Sequence, residues 1–401
     1  MQDLKIFAKT IEPEAIGQIQ LLLSQSAFRD CKVRIMPDVH AGKGCVIGFT
    51  ANLGNKVIPN IVGVDIGCGM LVTQLGTKEI DRNHLDASIR ALIPNGRNVH
   101  DAAKERFPLL TELRCYSAIR NPERMECSIG TLGGGNHFIE IDRDENGTQY
   151  LVIHTGSRSL GKQVADYYQN LAIDQLQGKK GLQLARQALI ESYAASGKSD
   201  EIQSALIELQ RQYAAHCGSV PEELCYLENE WRDAYLNDMQ ICQTFAQENR
   251  KQIRNTLLME LGYSAEESEC MSFETVHNYI DPNSNIVRKG AIDASAGKRV
   301  LIPMNMRDGC LIAVGKGNED WNSSAPHGAG RLMSRSQAKK KLNLESYQKQ
   351  MADIFTTSVS EETLDEAPDA YKPIDEILEL IGETVSVEKV IKPIYNFKAS
   401  E

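Results

Sequence analysis

The sequence lacks any run of eighteen apolar residues, and it does not open with a basic segment followed by an apolar one. The first absence argues against a transmembrane helix, and the second argues against a signal peptide. Aromatic residues make up only 6% of the 401 residues, while hydrophobic residues make up 42% and charged residues 24%. This composition is typical of a globular protein, and we expect one with no membrane partner.

Several common sequence signatures are also missing. No two of the ten cysteines have CxxC spacing, which argues against a zinc finger or a thioredoxin-like motif. Neither the GxxxxGK[ST] pattern of a P-loop nor the GxGxxG pattern of a dinucleotide-binding fold occurs. Dispersed cysteines without an export signal indicate a reducing compartment, so we expect a cytoplasmic protein.

The charge balance is acidic, with 44 Lys and Arg against 54 Asp and Glu and a formal net charge of −10. This balance argues against a protein that coats nucleic acid without specificity. It is compatible with an enzyme that has a locally basic cleft, because the field in a cleft depends on nearby charges.

The chain divides into three stretches, which together predict an α+β fold. Residues 1 to about 160 contain short β-type runs such as CKVRIM, GCVIGFT, NIVGVDIG, FIEI and YLVIH. Residues from about 161 to 262 carry helical periodicity, above all in LENEWRDAYLNDMQICQTFAQENRKQIRNTLLMEL. Short β-type runs return from about 268, and the end, VSVEKVIKPIYNFKA, is strand-like.

Five of the eight histidines lie in glycine-rich or strand-edge segments. Glycine lets a backbone approach a ligand closely, so five histidines in this setting are difficult to explain by packing alone. A single one of them could still be an ordinary hydrogen-bonded histidine. The segments are MPDVHAGKG, GTLGGGNHFIEI, VIHTGSRSLG, FETVHNY and SSAPHGAGR.

His137 and His154 are predicted to meet at one end of a β-hairpin. The runs HFIEI and QYLVIH flank DENG, a turn sequence containing Asn-Gly. In an antiparallel hairpin the two histidines face each other or lie one diagonal step apart. This arrangement suits a metal site, and the alternative is a histidine pair that caps a sheet edge.

Asp65 and Cys68 lie three residues apart in the glycine-rich segment VGVDIGCGM. Thiolate and imidazole suit borderline metals, and a carboxylate adds affinity for harder cations such as Mn²⁺. Since a thiolate can bridge two metals, these residues and three histidines form a plausible two-metal set. The alternative for Cys68 is a buried, inert thiol.

The glycine-rich segments could also form backbone nests for phosphates. Arg158, Arg288, Lys289 and Arg331 lie near these segments, and arginine beside glycine-rich backbone is a reasonable phosphate clamp. The alternative for each is an ordinary surface ion pair.

The ordered set of motifs resembles the RtcB family of GTP-dependent RNA ligases nearly from end to end. The motifs are MPDVHAGKG, VGVDIGCGM, GTLGGGNHFIEI, HTGSRSLG, VHNY, RKGA and HGAGRLMSR. The resemblance implies one large α+β domain over residues 1–401, with a central metal-containing cleft and a mainly helical insertion at about 161–262.

The same resemblance implies an activity. An enzyme of this family joins RNA ending in a 3′-phosphate or 2′,3′-cyclic phosphate to RNA with a 5′-hydroxyl, through a histidine–GMP intermediate. It requires GTP and two Mn²⁺ ions. The expected role is RNA repair or tRNA processing, and a monomer is favoured.

Residue roles implied by the resemblance follow from the motif matches. The catalytic histidine matches His327. The metal ligands match Asp65, Cys68, His137, His154 and His277, with Cys68 bridging the two ions. The guanylate contacts match Asn136, Glu140, Ala329, Gly330 and Lys398.

One segment, IPMNMRDGCLIAVGKG, departs from the family pattern. Many members have serines that contact the guanylate there, and Asn305 and Cys310 stand near those positions, so we expect Asn305 in the nucleotide site. This departure leaves two alternatives open. One is a divergent member that activates or processes RNA 3′-phosphate ends without efficient sealing, and the other is a non-catalytic protein that binds RNA ends.

Overall fold

The computed structural model describes residues 3–216, 220–264 and 271–399. The α-helices are α1 (Pro13–Leu23), α2 (Pro59–Val62), α3 (Arg82–Leu92), α4 (Pro122–Glu126), α5 (Arg158–Gln177), α6 (Lys179–Ala195), α7 (Ile202–His216), α8 (Asn229–Glu260), α9 (Arg335–Lys341), α10 (Leu344–Gln350) and α11 (Ile374–Ile381).

The strands begin with β1 (Asp3–Ile6), β2 (Lys32–His40), β3 (Ile47–Asn52), β4 (Gly69–Gly76), β5 (Phe138–Arg143), β6 (Gln149–Thr155), β7 (Ser272–Val276) and β8 (Asn278–Ile280). They continue with β9 (Ile286–Lys289), β10 (Ala291–Asp293), β11 (Arg299–Asn305), β12 (Gly309–Gly315), β13 (Ser324–Pro326), β14 (Phe355–Thr356) and β15 (Val385–Lys398).

The largest sheet has the strand order β11-β12-β15-β5-β6-β4-β7, with β14 beside β15. The sheet curls, so that β11 returns to β7, where the Leu301 amide donates to Thr275 Oγ1 at 3.0 Å. The inner face of this curl is a buried apolar layer that includes Val72, Val152 and Ile312. The curl therefore brings the two ends of the sheet around one interior.

Helices α3 and α8 cover the outer face of the same sheet. Leu85 and Ile89 of α3 pack with Ile139 of β5 and with Ile253 and Leu257 of α8. In α8, apolar residues at spacings of three and four are buried, as the helical periodicity predicts. The prediction of a helix over this stretch is confirmed, and it is one continuous helix.

A second sheet, with the order β1-β2-β3-β9-β8, packs against α1, α2, α5 and the first half of α8 through the largest apolar cluster. The short pair β10-β13 completes the sheets of the described residues. The α+β prediction is therefore confirmed. No helix in the part of the chain that the structure describes is long and apolar enough to cross a membrane.

One predicted strand is wrong. NIVGVDIG contains the short helix α2 and then a turn, where a strand was predicted from its apolar residues. Pro59 occupies the first turn of α2, where its fixed φ suits a helix start. Gly63, with φ 94°, ends the helix in a conformation that other residues rarely adopt. The runs CKVRIM, GCVIGFT, FIEI and YLVIH do form strands.

Asp238 of α8 is fully buried and ties α8 to α5 and to a loop. Its carboxylate accepts hydrogen bonds from the backbone amides of Arg114 and Cys115, at 2.8 and 3.0 Å, and from the Tyr168 hydroxyl at 2.8 Å. Without this carboxylate, the buried amide of Cys115, the part-buried amide of Arg114 and the buried Tyr168 hydroxyl lose their acceptor. Each such loss costs about 1–3 kcal/mol.

We therefore expect Asp238→Ala to lower the free energy of unfolding by about 3 kcal/mol in a urea titration. Asp233→Ala, on an exposed face of the same helix, serves as the control and should change it by less than about 0.5 kcal/mol. Equal stability of the two variants would contradict the role given to Asp238.

Candidate active site

Five side chains with metal-binding donor atoms converge where the ends of β4, β5, β6 and β7 meet. Strand pairing explains the convergence, because β4 pairs with both β6 and β7, and β5 pairs with β6. The five are Asp65 and Cys68 in the turn after α2, His137 before β5, His154 in β6, and His277 between β7 and β8.

Cys68 lies at the centre of this group. Its Sγ is 3.3 Å from His154 Nε2 and 3.6 Å from His137 Nε2. The five residues form two sets of donor atoms that share the thiol, each set within 4.8 Å. One set is Cys68, His154 and His277, and the other is Asp65, Cys68 and His137.

His137 and His154 have their ring orientations set by the backbone. Nδ1 of His137 is 2.8 Å from the Leu132 carbonyl, and Nδ1 of His154 is 3.2 Å from the Asn136 carbonyl. Each Nδ1 therefore donates, and each Nε2 faces Cys68, where a metal would bind. The Nε2 atom of His137 also lies 3.1 Å from Oδ2 of Asp65. The two ring centroids lie 5.3 Å apart, so the two histidines do meet at one end of the hairpin.

Their convergence is not a product of regular strand alternation. His154 pairs with Phe138 in the ladder, so a fully extended His137 would point to the other face of the hairpin. His137 instead precedes β5, at the end of the glycine-rich loop, and turns toward Cys68.

Burial keeps His154 and His277 neutral and the Cys68 thiol protonated. It lowers the pKa of His154 and of His277 well below the ordinary range. It raises the pKa of the Cys68 thiol well above the usual value, and the nearby Asp65 raises it further. For Asp65, burial acts to raise the pKa, but His137, Cys68 and Arg158 together outweigh this effect and the pKa is lowered.

This donor set fits a divalent metal. Within the described residues, the Nδ1 atom of His277 is buried and has no hydrogen-bond partner. Such an atom is costly unless a ligand satisfies it. Neutral imidazoles, a carboxylate and a thiol that a metal can deprotonate are the donors that Mn²⁺ or Zn²⁺ would take.

His327 follows β13 and stands beside these five residues, the metal-type group. Its ring centroid lies 4.9 Å from that of His277. Its Nδ1 is 2.6 Å from Oδ2 of Asp38, which also accepts from the His327 amide at 3.1 Å. Since Nδ1 is held by a fully buried carboxylate, the lone pair of a neutral ring belongs to Nε2. A ring with one nitrogen held by a carboxylate and the lone pair on the other nitrogen suits a nucleophile.

A cleft opens beside His327. All six residues predicted to contact a nucleotide line it, namely Asn136, Glu140, Asn305, Ala329, Gly330 and Lys398.

The inner end of the cleft carries paired charges. Lys398 Nζ is 2.6 Å from Oε2 of Glu366. Burial opposes ionisation of Glu366, but Lys398, Arg335 and Arg331 outweigh it and lower its pKa to about 2. Glu140 accepts from the Asn396 side chain. Burial raises the pKa of Glu140 to about 7, although Lys398 acts against the shift.

Asn305 contributes backbone geometry as well as a lining side chain. Its Oδ1 accepts from the amides of Arg307 and Asp308, and its Nδ2 donates to Asp308 at 2.8 Å. The side chain thereby closes the turn between β11 and β12. The segment that departs from the family pattern therefore forms a turn that its own side chain closes, at the wall of the cleft.

Of the four candidate phosphate clamps, Arg288 is buried and donates to the hydroxyls of Ser324 and Tyr279. The other three differ in placement. Arg331 lines the cleft and contacts Glu366 and Tyr371. Arg158 donates to Thr131 and to the Gly96 carbonyl, and a β-carbon on Gly133 would force its guanidinium to move.

Lys289, the third, lies away from the cleft. It is buried, and its ammonium donates to the carbonyls of Lys43 and Asn60. A role in binding RNA phosphates stays a prediction for all three residues.

Sequence reasoning missed several residues of the site. Asp38 stands in MPDVHAGKG two positions before His40, so that motif contained the signal. The sequence indicates His40 only as one of five histidines in glycine-rich segments. In the structure its Nδ1 is 2.9 Å from the Asp38 carbonyl, and burial lowers its pKa to about 4. Glu366 and Tyr371 lie in an ordinary acidic stretch, where no local pattern marks them.

Comparison with known proteins gives a consistent result. The family model described as "RtcB: tRNA-splicing ligase RtcB" matches residues 23–114 and 110–399. The "RNA-splicing ligase RtcB" of Escherichia coli K12 is 28% identical over 429 positions, covering 97% of this chain and 96% of that protein.

Two further relatives match most of the chain. The "tRNA-splicing ligase RtcB" of Nanoarchaeum equitans is 28% identical, with 89% of this chain and 85% of the relative covered. The "RNA-splicing ligase RtcB" of Mycobacterium tuberculosis is 27% identical, with 89% and 94% covered.

The raised pKa of Glu140 predicts a pH-dependent loss of stability. Because the folded state holds this proton more tightly than the unfolded state, stability is lost as the pH rises from about 4.5 to about 7. We expect Glu140→Gln to remove roughly 3–4 kcal/mol of that loss, since the pKa rises from 4.5 to about 7 and each pKa unit corresponds to about 1.4 kcal/mol. Urea titrations at pH 4.5 and 8 measure the difference.

Glu145→Gln is the matched control, since Glu145 is exposed at the turn of the same hairpin. It should keep the wild-type pH dependence. If Glu140→Gln also keeps that dependence in full, Glu140 ionises as freely as a surface carboxylate.

Proposed function

Because this chain belongs to the RtcB family, we propose that it is an RNA ligase that joins a 3′-phosphate or 2′,3′-cyclic phosphate end to a 5′-hydroxyl end, with GTP and Mn²⁺. The matched relatives are named as RNA-splicing or tRNA-splicing ligases, and the match covers nearly the whole chain. RNA repair or tRNA processing is the proposed role.

The pairing of His327 with Asp38 is the observation that carries the chemistry. We assign His327 as the nucleophile. The Nε2 lone pair attacks the α-phosphorus of GTP, a phosphorus–nitrogen bond forms, and the bond to the bridging oxygen breaks as pyrophosphate leaves. Asp38 accepts a hydrogen bond from Nδ1–H and stabilises the positive charge that develops on the ring.

Two further transfers complete the reaction. An oxygen of the RNA 3′-phosphate attacks the same phosphorus, the phosphorus–nitrogen bond breaks, and His327 is released. The 5′-hydroxyl oxygen then attacks the activated RNA phosphate, GMP leaves, and the hydroxyl proton passes to solvent. A 2′,3′-cyclic end must first take up water to become a 3′-phosphate.

Asp65, Cys68, His137, His154 and His277 are proposed to hold two Mn²⁺ ions, with Cys68 shared by both. When bound, the ions would offset the charge on the phosphate oxygens and orient the leaving group. The short distances from Cys68 to both imidazoles support a shared thiolate.

The base of GTP is proposed to bind at the inner end of the cleft, between Glu140 and Lys398. A carboxylate there would accept hydrogen bonds from the ring and amino nitrogens of guanine, and an ammonium would donate to its carbonyl oxygen. Asn136, Asn305 and the backbone of Ala329 and Gly330 line the rest of the path toward His327. Arg331, at the wall of the cleft, is the best placed of the three cations to contact RNA phosphates.

The first test is intact-protein mass after incubation with Mn²⁺ and GTP. We expect the wild-type protein to gain one GMP and His327→Ala to gain none, because the attacking nitrogen is gone. His84→Ala, on the exposed face of α3, should label like the wild type. Labelling of His327→Ala would remove His327 from its role, and an ATP incubation tests nucleotide preference.

Matched RNA ends then separate ligation from its alternatives. Sealing of a 3′-phosphate end to a 5′-hydroxyl end supports the ligase. Labelling with GMP and transfer to RNA without sealing would identify a member that only activates 3′-phosphate ends. Neither labelling nor sealing, with metal bound, would point to a protein that binds RNA ends without turnover.

If one thiolate binds both ions, its removal should weaken the binding of both. Cys68→Ala should weaken binding of both Mn²⁺ ions, measured by calorimetry, because one sulfur serves two ions. Cys45→Ala, at another buried cysteine, is the control. Unchanged stoichiometry and affinity in Cys68→Ala would show that Cys68 is only a packed thiol.

A further inference from the structure

Helix α8 passes directly behind the metal-type group, and two adjacent residues of it face the group. Asn249 and Arg250 are 0% and 1% exposed. A buried guanidinium is expensive unless its donors are satisfied. The partners of both side chains therefore indicate what the two residues do.

Arg250 reaches three backbone segments at once. Its Nη1 donates to the Gly67 carbonyl at 2.9 Å and to the Thr155 carbonyl at 2.8 Å. Its Nε donates to Oε1 of Glu274, on β7, at 2.9 Å.

Each of these partners lies beside a candidate metal ligand in the chain. Gly67 precedes Cys68, Thr155 follows His154, and β7 leads into His277. Cys68, His154 and His277 are one of the two donor sets. A single guanidinium thus ties together the three segments that carry that set.

Asn249 serves the other donor set in the same way. Its Oδ1 accepts from the amides of Gly130 and Thr131, at 2.8 and 3.0 Å. Its Nδ2 donates to the Gly156 carbonyl at 3.1 Å and to Thr155 Oγ1 at 3.3 Å.

The hydroxyl that Asn249 contacts leads to His137. Thr155 Oγ1 donates to the Leu132 carbonyl at 2.7 Å, and the same carbonyl accepts from His137 Nδ1. Asn249 therefore connects the loop that orients His137 to the end of β6.

We propose that Asn249 and Arg250 are positioning residues for a two-ion divalent metal centre. Arg250 sets the spacing of Cys68, His154 and His277, and Asn249 sets the orientation of His137. This inference rests on the metal centre of the proposed function, and it names residues outside both donor sets.

Simple packing does not account for Arg250. An apolar side chain of similar volume would fill the same space without the cost of burying a charge. The guanidinium instead offers donors at fixed angles in one plane, and two of its partners are backbone carbonyls next to ligands. A lysine could keep the charge but could not reach three acceptors with the same geometry.

The test is binding of Mn²⁺ alone and Co²⁺ alone to Arg250→Lys. We expect one of the two ions to bind about 10- to 100-fold more weakly in calorimetry, as for other residues that orient metal ligands. We also expect the thiolate-to-Co²⁺ charge-transfer and visible bands to shift, because the ligand geometry changes. Neither readout requires turnover.

Arg34→Lys is the matched control. Arg34 is 2% exposed and donates to the carbonyls of Asp3 and Asp320, far from the ligands in the chain. It should lower the melting temperature as Arg250→Lys does, while metal affinity and the Co²⁺ spectrum stay at wild-type values.

Glu274→Ala keeps the proposal testable if Arg250→Lys does not fold. Its side chain is partly exposed, and its loss releases only the tie to β7, so we expect a several-fold weaker affinity for one ion. The inference would be overturned if a folded Arg250→Lys kept the wild-type metal affinity and Co²⁺ spectrum. If Arg250→Lys does not fold, the same result in Glu274→Ala would overturn it. A wild-type chain that binds neither metal would overturn the metal centre itself.

Discussion

The site depends on one buried sulfur that stands within reach of two imidazoles. Cys68 Sγ lies 3.3 and 3.6 Å from the Nε2 atoms of His154 and His137, in a region where burial disfavours every charge. Five donor side chains held this close suit a cation, which could accept a lone pair from each of them. The strand ends, the glycine-rich loop and α8 all serve to hold this arrangement.

The curled sheet supplies the rigidity that the arrangement requires. Strand β4 lies between β6 and β7, so the ends that carry Cys68, His154 and His277 are held by ladder hydrogen bonds. The remaining freedom lies in the loop before His137, and its carbonyls and α8 restrict that loop. His154 thus lies within a strand, and Cys68, His137 and His277 each directly adjoin one, so regular elements fix most of the ligand candidates.

Two buried carboxylates orient charged and nucleophilic side chains of the cleft. Asp38 pairs with His327 beside the five metal-binding candidates, and Glu366 pairs with Lys398. Both anchors are buried carboxylates, so the acidic balance of the chain does not prevent a cleft with directed positive charge. Local pairing decides the field in the cleft, whereas net charge acts mainly at long range.

The amino-acid sequence alone indicates which side chains can bind a metal, and it indicates much of the local structure. The short β-type runs, the Asn-Gly turn and the long helical periodicity are local signals, and they predict β5, β6 and α8 correctly. The order of the glycine–histidine motifs determined the family. The tertiary structure decided what those signals cannot encode: that NIVGVDIG turns rather than extends, that Asp38 faces His327, and that α8 lies behind the donors. Those contacts join residues distant in the chain, and their partners are set by packing of the sheets rather than by local sequence.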